Sequence, residues 1–171
     1  MKYITPNKMI IPIEVKQFND AEASSALCRS VWTAESEAPR WFREASQVWH
    51  PTFEAFAEFW ENCGEIWEFL DSGCETATTR FLVYLEFLQP HSINIHVSVI
   101  APIDNGKLTE SLKWLKDKKA ADGVTSMVGW LLDKNRGMRK IAEAVGFVET
   151  GATMSYGAAR GKVLRWRQYR A

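Results

Sequence analysis

The chain has 171 residues, 46% of them hydrophobic and 25% charged, which is enough for one domain with a substantial core. The formal net charge is zero and the pI about 6.8, a balance that disfavours a general nucleic-acid binder. No apolar run approaches the roughly 20 residues of a membrane helix. The opening MKYITPNKMIIPIEV, with two prolines, does not read as a signal peptide, so a cytoplasmic protein is expected.

In chain order, MIIPIEV (9–15) reads as a first strand, with Pro12 placing it near an edge or bulge. A helix is expected from about Asp20 as N-cap, with Leu27 and Val31 on one face. Pro39 and unperiodic aromatics make residues 34–50 a loop with a short helix. Over residues 52–62, Phe53, Phe56, Ala57 and Trp60 fall at helical spacing behind a Thr52 cap, and Gly64 is expected to end the helix. Strands follow at 66–70, with a turn at Asp71-Ser72-Gly73, at 79–88, and at 93–101. In the last, Ile93, Ile95, Val97 and Val99 alternate with Asn94, His96 and Ser98.

Past Pro102, residues 107–121 align Leu108, Leu112 and Leu115 on one helical face, and Gly123 stops the helix. SMVGWLL (126–132) is apolar throughout and reads as a strand buried on both faces. Residues 93–132 thus form a βαβ unit. Asn135 caps a short helix whose buried face is Met138, Ile141, Ala142 and Val145, and Gly146 ends it. A strand from Phe147 to about Tyr156, a turn at 157–161 and a final strand KVLRWRQY complete one domain over 1–171.

Cys28, Cys63 and Cys74 form no C-x-x-C pair and read as free thiols; with three histidines apart from them, no metal site is expected. Charge is unevenly distributed. Residues 35–75 carry ten acids and two bases, and the last twelve residues carry five bases and no acid. The final strand sets Arg165 and Arg167 opposite Leu164 and Trp166, suited to an acidic partner.

The element order, and Asn135 leading a short helix into Gly146-Phe147, resemble the GNAT acyltransferase fold, whose last helix is usually N-x-x-A-x-x-x-Y-x-x-x-G-F. The resemblance implies an α/β (α+β) domain with a mixed central sheet flanked by helices. It implies acetyl-coenzyme A in a splay between the fourth and fifth strands, with the pyrophosphate on backbone amides where the next helix begins. Carried onto this chain, Gly106, Lys107 and Leu108 would hold the pyrophosphate and Asn135 the pantetheine arm. The family's [QR]-x-x-G-x-[GA] turn is replaced by APIDNGKLTES, which brings Asp104 close to the expected phosphates. The position of the family's proton-donating tyrosine is Ala142. His96 would be the base, with Ser98 beside it and Glu86 as a second choice; Tyr156 would be the acid.

Two functions follow. With the motifs worn away, the chain is similar to GNAT-like internal-virion and head-assembly proteins of short-tailed bacteriophages. That resemblance implies a protein-binding factor without a coenzyme A donor, whose partners are phage structural or assembly proteins or a second copy. The alternative is an acetyl-coenzyme A-dependent N-acyltransferase whose acidic stretch at 54–75 draws a cationic amine.

Overall fold

A computed structural model of the chain describes residues 13–18, 24–39, 43, 50–71, 78–156 and 159–167, with side chains described except at 13, 14, 154–156 and 159–167. The strands are β1 (Ile13–Phe18), β2 (Glu65–Asp71), β3 (Thr78–Gln89), β4 (Ser92–Val99), β5 (Ser126–Leu132), β6 (Val148–Tyr156) and β7 (Ala159–Arg167). The helices are α1 (Ser25–Glu37), α2 (Phe53–Glu61), α3 (Asn105–Ala121) and α4 (Arg136–Val145). All seven strands join one sheet in the order β1-β2-β3-β4-β5-β7-β6. Every neighbouring pair is antiparallel except β4 and β5, which run parallel through the α3 crossover. This is the mixed sheet flanked by helices, with a βαβ core, that the sequence leads one to expect.

The two faces follow from strand alternation on β3. Phe81, Val83 and Leu85 point to one face, where Leu108, Leu112 and Leu115 of α3 and Ile141 and Val145 of α4 cover them. Leu82 and Tyr84 point to the other, under Cys28 and Val31 of α1 and Phe56 and Trp60 of α2. Phe56 and Trp60 are each 1% exposed. Burying an aromatic of that size removes roughly 150–250 Å² from water, worth up to about 4–6 kcal/mol at ~25 cal/mol per Å². The Trp60 indole N–H also donates to Ser24 Oγ at 2.9 Å, which ties α2 to the start of α1.

Several local expectations hold. Thr52 caps α2 by accepting from the Ala55 N–H, and Asn135 caps α4 by accepting from the Met138 N–H. Gly146 takes φ +108 at the end of α4, where the Gly146 and Phe147 amides both donate to the Ala142 carbonyl. Gly123, at φ +97, follows the end of α3 in the same manner.

Other expectations are corrected. Helix α1 runs through Glu37, so residues 34–37 are helical rather than loop, and its N-cap is Ser24; Asp20 lies outside the described residues. The hydroxyls of Ser30, Thr33 and Ser36 donate to carbonyls one turn back, which lets a polar helix face solvent. Gly64 does not terminate α2, which ends at Asn62. Instead a Cβ at Gly64 would clash with the Phe87 ring, so the residue is small because β3 passes there. In β5 only Met127 and Val128 are buried; Gly129 to Leu132 are half exposed, because the sheet opens beside them. Residues 159–161 belong to β7 rather than to a turn. Residues 9–12 of the expected first strand, and Ser72 and Gly73 of the expected turn, lie outside the described residues, as do the Arg165 and Arg167 side chains.

Candidate acyl-transfer site

Strands β4 and β5 pair only at Ser92↔Ser126, Ile93↔Met127 and Asn94↔Val128. Past that point β4 stays paired with β3 as far as Val99, and β5 with β7 as far as Leu132. The two strands therefore diverge into a V-shaped cleft. At its apex a Cβ on Gly129 would sit 3.5 Å from Ile95 Cγ2. Because the strands are parallel, both following helix N-termini, those of α3 and α4, stand at the open end.

His96 lies just past the apex, on the face covered by α1 and α2. Its ring stacks on Tyr84 of β3 with centroids 5.0 Å apart and planes 2° from parallel, and it meets Phe59 of α2 edge-on at 5.3 Å. His96 Nε2 is 2.6 Å from Glu86 Oε2, and the Asn94 amide donates to the same oxygen at 3.4 Å. The hydrogen bond from His96 holds the Glu86 carboxyl below its ordinary pKa, against the opposing effect of burial. An ionised Glu86 fixes the proton on Nε2 and leaves Nδ1 as the nitrogen able to take one.

Beside this dyad is a second, more buried cluster. Glu35 Oε1 accepts from Ser98 Oγ at 2.9 Å and from the Tyr84 hydroxyl at 3.4 Å, and the two hydroxyls lie 3.1 Å apart. Burial, reinforced by Glu35, drives the Tyr84 pKa well above its ordinary value, so its hydroxyl keeps its proton. On the other side of Phe59 is His50, with ring centroids 4.7 Å apart. Burial lowers the His50 pKa, and His96 adds to the effect. Of the expected residues, the structure brings His96, Glu86 and Ser98 together. Sequence reasoning missed Glu35 and Tyr84. Glu35 continues the Cys28–Val31 face of α1, a spacing that would have signalled it.

The remaining candidates sit elsewhere. Tyr156 ends β6, separated from β4 by β5 and β7, roughly 14 Å at ~4.8 Å per strand; its side chain lies outside those described. At α3, Asp104 Oδ1 accepts from the Gly106 N–H at 2.9 Å and the Lys107 N–H at 3.1 Å. The Leu108 N–H is taken by the Asp104 carbonyl, and the Leu108 side chain is in the core. Asn135 spends its side-chain oxygen on the α4 cap. Ala142 offers no proton.

For acetyl-coenzyme A, the pantetheine arm would lie where β4 and β5 part, since the two strands are not paired with each other there. The diphosphate end does not fit: the amides it would take are already bonded to a carboxylate, which also repels it. Among the described residues no group of three or more His, Cys, Asp or Glu is placed to hold a metal ion, and no helix is long and apolar enough to cross a membrane.

No family sequence model matches the chain, and no curated protein sequence is similar to it. Solved structures do match. An acetyltransferase of the GNAT family from Bacillus anthracis superposes with a TM-score of 0.61 at 12% identity, covering 93% of this chain and 98% of that one. The ribosomal-protein-S5-alanine acetyltransferase of Vibrio fischeri gives 0.62 at 12% identity, covering 91% and 92%. The yncA protein of Salmonella typhimurium, solved with its cofactor acetyl-CoA, gives 0.63 at 13% identity, covering 91% and 93%. The chain has the GNAT fold.

Proposed function

We propose that this protein is an N-acyltransferase in which His96, oriented by Glu86, is the base. The observation that carries this reading is the 2.6 Å contact between His96 Nε2 and Glu86 Oε2 just past the apex of the β4–β5 cleft. A carboxylate that holds an imidazole by one nitrogen steadies the cation formed when the other takes a proton. In the reaction, the amine nitrogen of an acceptor attacks the carbonyl of an acyl thioester. A C–N bond forms, the C–S bond breaks, and the amine proton passes by way of His96 to the departing thiolate. The hydroxyl and carboxylate cluster of Tyr84, Ser98 and Glu35 backs the dyad, with the Tyr84 ring stacked on His96. The GNAT fold of the solved acetyltransferases supports the reading without fixing donor or acceptor.

Thiol release from the acetyl thioester of N-acetylcysteamine, measured with a panel of primary amines, tests it. Positioned general-base catalysis contributes roughly 10²–10⁴-fold. His96→Gln should therefore lower the amine-dependent rate by about 10²-fold or more, with Glu86→Gln falling between it and the unaltered protein. Equal rates in the His96→Gln variant and the unaltered protein would end the reading.

One observation favours a second reading, a docking protein without chemistry, including a role among phage structural proteins during virion assembly: the phosphate-binding turn and the proton-donating tyrosine expected of a working site are both altered, at Asp104 and Ala142. It predicts no amine-dependent thiol release at all, and assembly in infected cells that is unaffected by His96→Gln.

A further inference from the structure

Resting on the acyl-transfer reading, we infer that Asp104 supplies, from within the chain, the anion that the α3 N-terminus would otherwise take from a diphosphate, so that the thioester donor is recognised through its pantetheine arm alone. Two features of this turn follow from the position of one carboxylate oxygen. The Asp104 carboxylate closes on the Gly106 and Lys107 amides at 2.9 and 3.1 Å. A Cβ at residue 106 would lie 3.0 Å from that same carboxylate oxygen. A side chain at 106 would make the carboxylate give by a few tenths of an ångström, so glycine leaves it room to close on both amides. The turn is thus built around Asp104, and an incoming diphosphate would have to displace two charge-assisted hydrogen bonds and face a like charge.

The β4 and β5 edges beyond Asn94 and Val128 are not paired with each other, and an extended amide-bearing arm can bond to such edges. The donor class that fits parted strand edges and an anion site already filled by Asp104 is a pantetheine thioester lacking adenosine diphosphate.

Calorimetry with three probes tests this: S-acetyl-pantetheine, acetyl-coenzyme A and inorganic pyrophosphate. The proteins are the unaltered chain, Asp104→Gly, which keeps a good cap residue without the carboxylate, and Asp104→Ser as a second neutral cap should the glycine variant fold poorly. The unaltered chain should bind the two thioesters within about threefold of each other and ignore pyrophosphate. The neutral variants should prefer acetyl-coenzyme A by tenfold or more and take up pyrophosphate. A tenfold preference for acetyl-coenzyme A in the unaltered chain overturns the inference, as does no gain in either variant. Pyrophosphate uptake confined to the variants, with no thioester bound by any protein, would uphold the role of Asp104 while removing the acyl-transfer reading.

Discussion

Helix α3 carries Asp104 at one end and is pinned at the other by Lys119, so the seating of the cleft's upper rim depends on one buried cation. Lys119 is 5% exposed, and its Nζ lies 2.9 and 3.1 Å from the two oxygens of Glu65 on β2 and 3.2 Å from Asp122 Oδ2. The Trp67 indole N–H donates to Glu65 Oε2 at 2.9 Å. Lys119→Met would fill the same volume but leave the Glu65 carboxylate, whose side chain is 15% exposed, with a single neutral donor. Breaking a buried pair by removing one partner costs about 3–5 kcal/mol. Glu65 retains some water and Asp122 can turn outward, so the lower end, about 3 kcal/mol, is expected. For a domain of this size that is a Tm drop of roughly 6–12 °C. Glu65→Gln combined with Lys119→Met removes both charges and should return to within about 1 kcal/mol of the parent. Urea denaturation of the parent, both single variants and the double variant measures the coupling. A Lys119→Met loss below about 1 kcal/mol, or a double variant no more stable than the single, would refute the reasoning.

Three further outcomes are expected. Gly146→Ala should cost about 1–2 kcal/mol, since φ +108 places an L side chain in the left-handed region, and a urea midpoint unchanged from the parent would contradict this. Burial pushes the Cys28 thiol up to about 11 and the Cys63 thiol up to about 12, so neither should alkylate at pH 8 until urea is added; peptide mapping that finds either labelled in the native protein would be contrary evidence. The pH dependence has two limbs. The folded His50 pKa lies below its ordinary 6.5, so as pH falls past 6.5 the unfolded chain takes up a proton that the folded chain resists, and stability declines. The folded Glu86 pKa lies below its ordinary 4.5, so its contribution is complete above 4.5 and is lost as pH falls through the lower folded value. Urea midpoints at pH 7.5, 5.5 and 4 should fall in that order, and His50→Gln should flatten the first step; a first step of full size in that variant would assign it elsewhere.

What the sequence made legible were features decided locally. The spacing of Phe53, Phe56 and Trp60, the leucines of α3, and the Asn135 and Gly146 boundaries all depend on neighbours within a turn or two. The side of β4 that carries His96 was also legible, because strand alternation alone sets it opposite Ile95 and Val97. The partner of His96 was less so. Glu86 is ten residues away, and bringing its carboxylate to Nε2 depends on the β3–β4 register, which is interrupted between Phe87 and Gln89. Helix α1 was cut short because Pro39 and the polar Ser30, Thr33, Glu35 and Ser36 mask its period, while the hydroxyls that make the serines and threonine tolerable in a helix bond to their own backbone. Asp104 was legible only as an unfavourable charge; that it bonds the very amides in question is a matter of side-chain geometry.

The misread end of α1 also bears on how His96 is oriented. Tyr84 keeps its proton because it is buried, and it donates that proton toward the Glu35–Ser98 pair, which fixes its ring against β4. The His96 imidazole lies flat on that ring, so Tyr84 sets the plane of the imidazole. Stacking leaves rotation within the plane free, and the 2.6 Å bond to Glu86 removes it. Two contacts from different directions thus determine where Nδ1 can stand, and in the proposed reaction an imidazole held in this way would need little reorganisation. Glu35 reaches the cluster only because α1 continues past Ala34. A loop there would leave Tyr84 and Ser98 without their acceptor, and the plane of His96 with it.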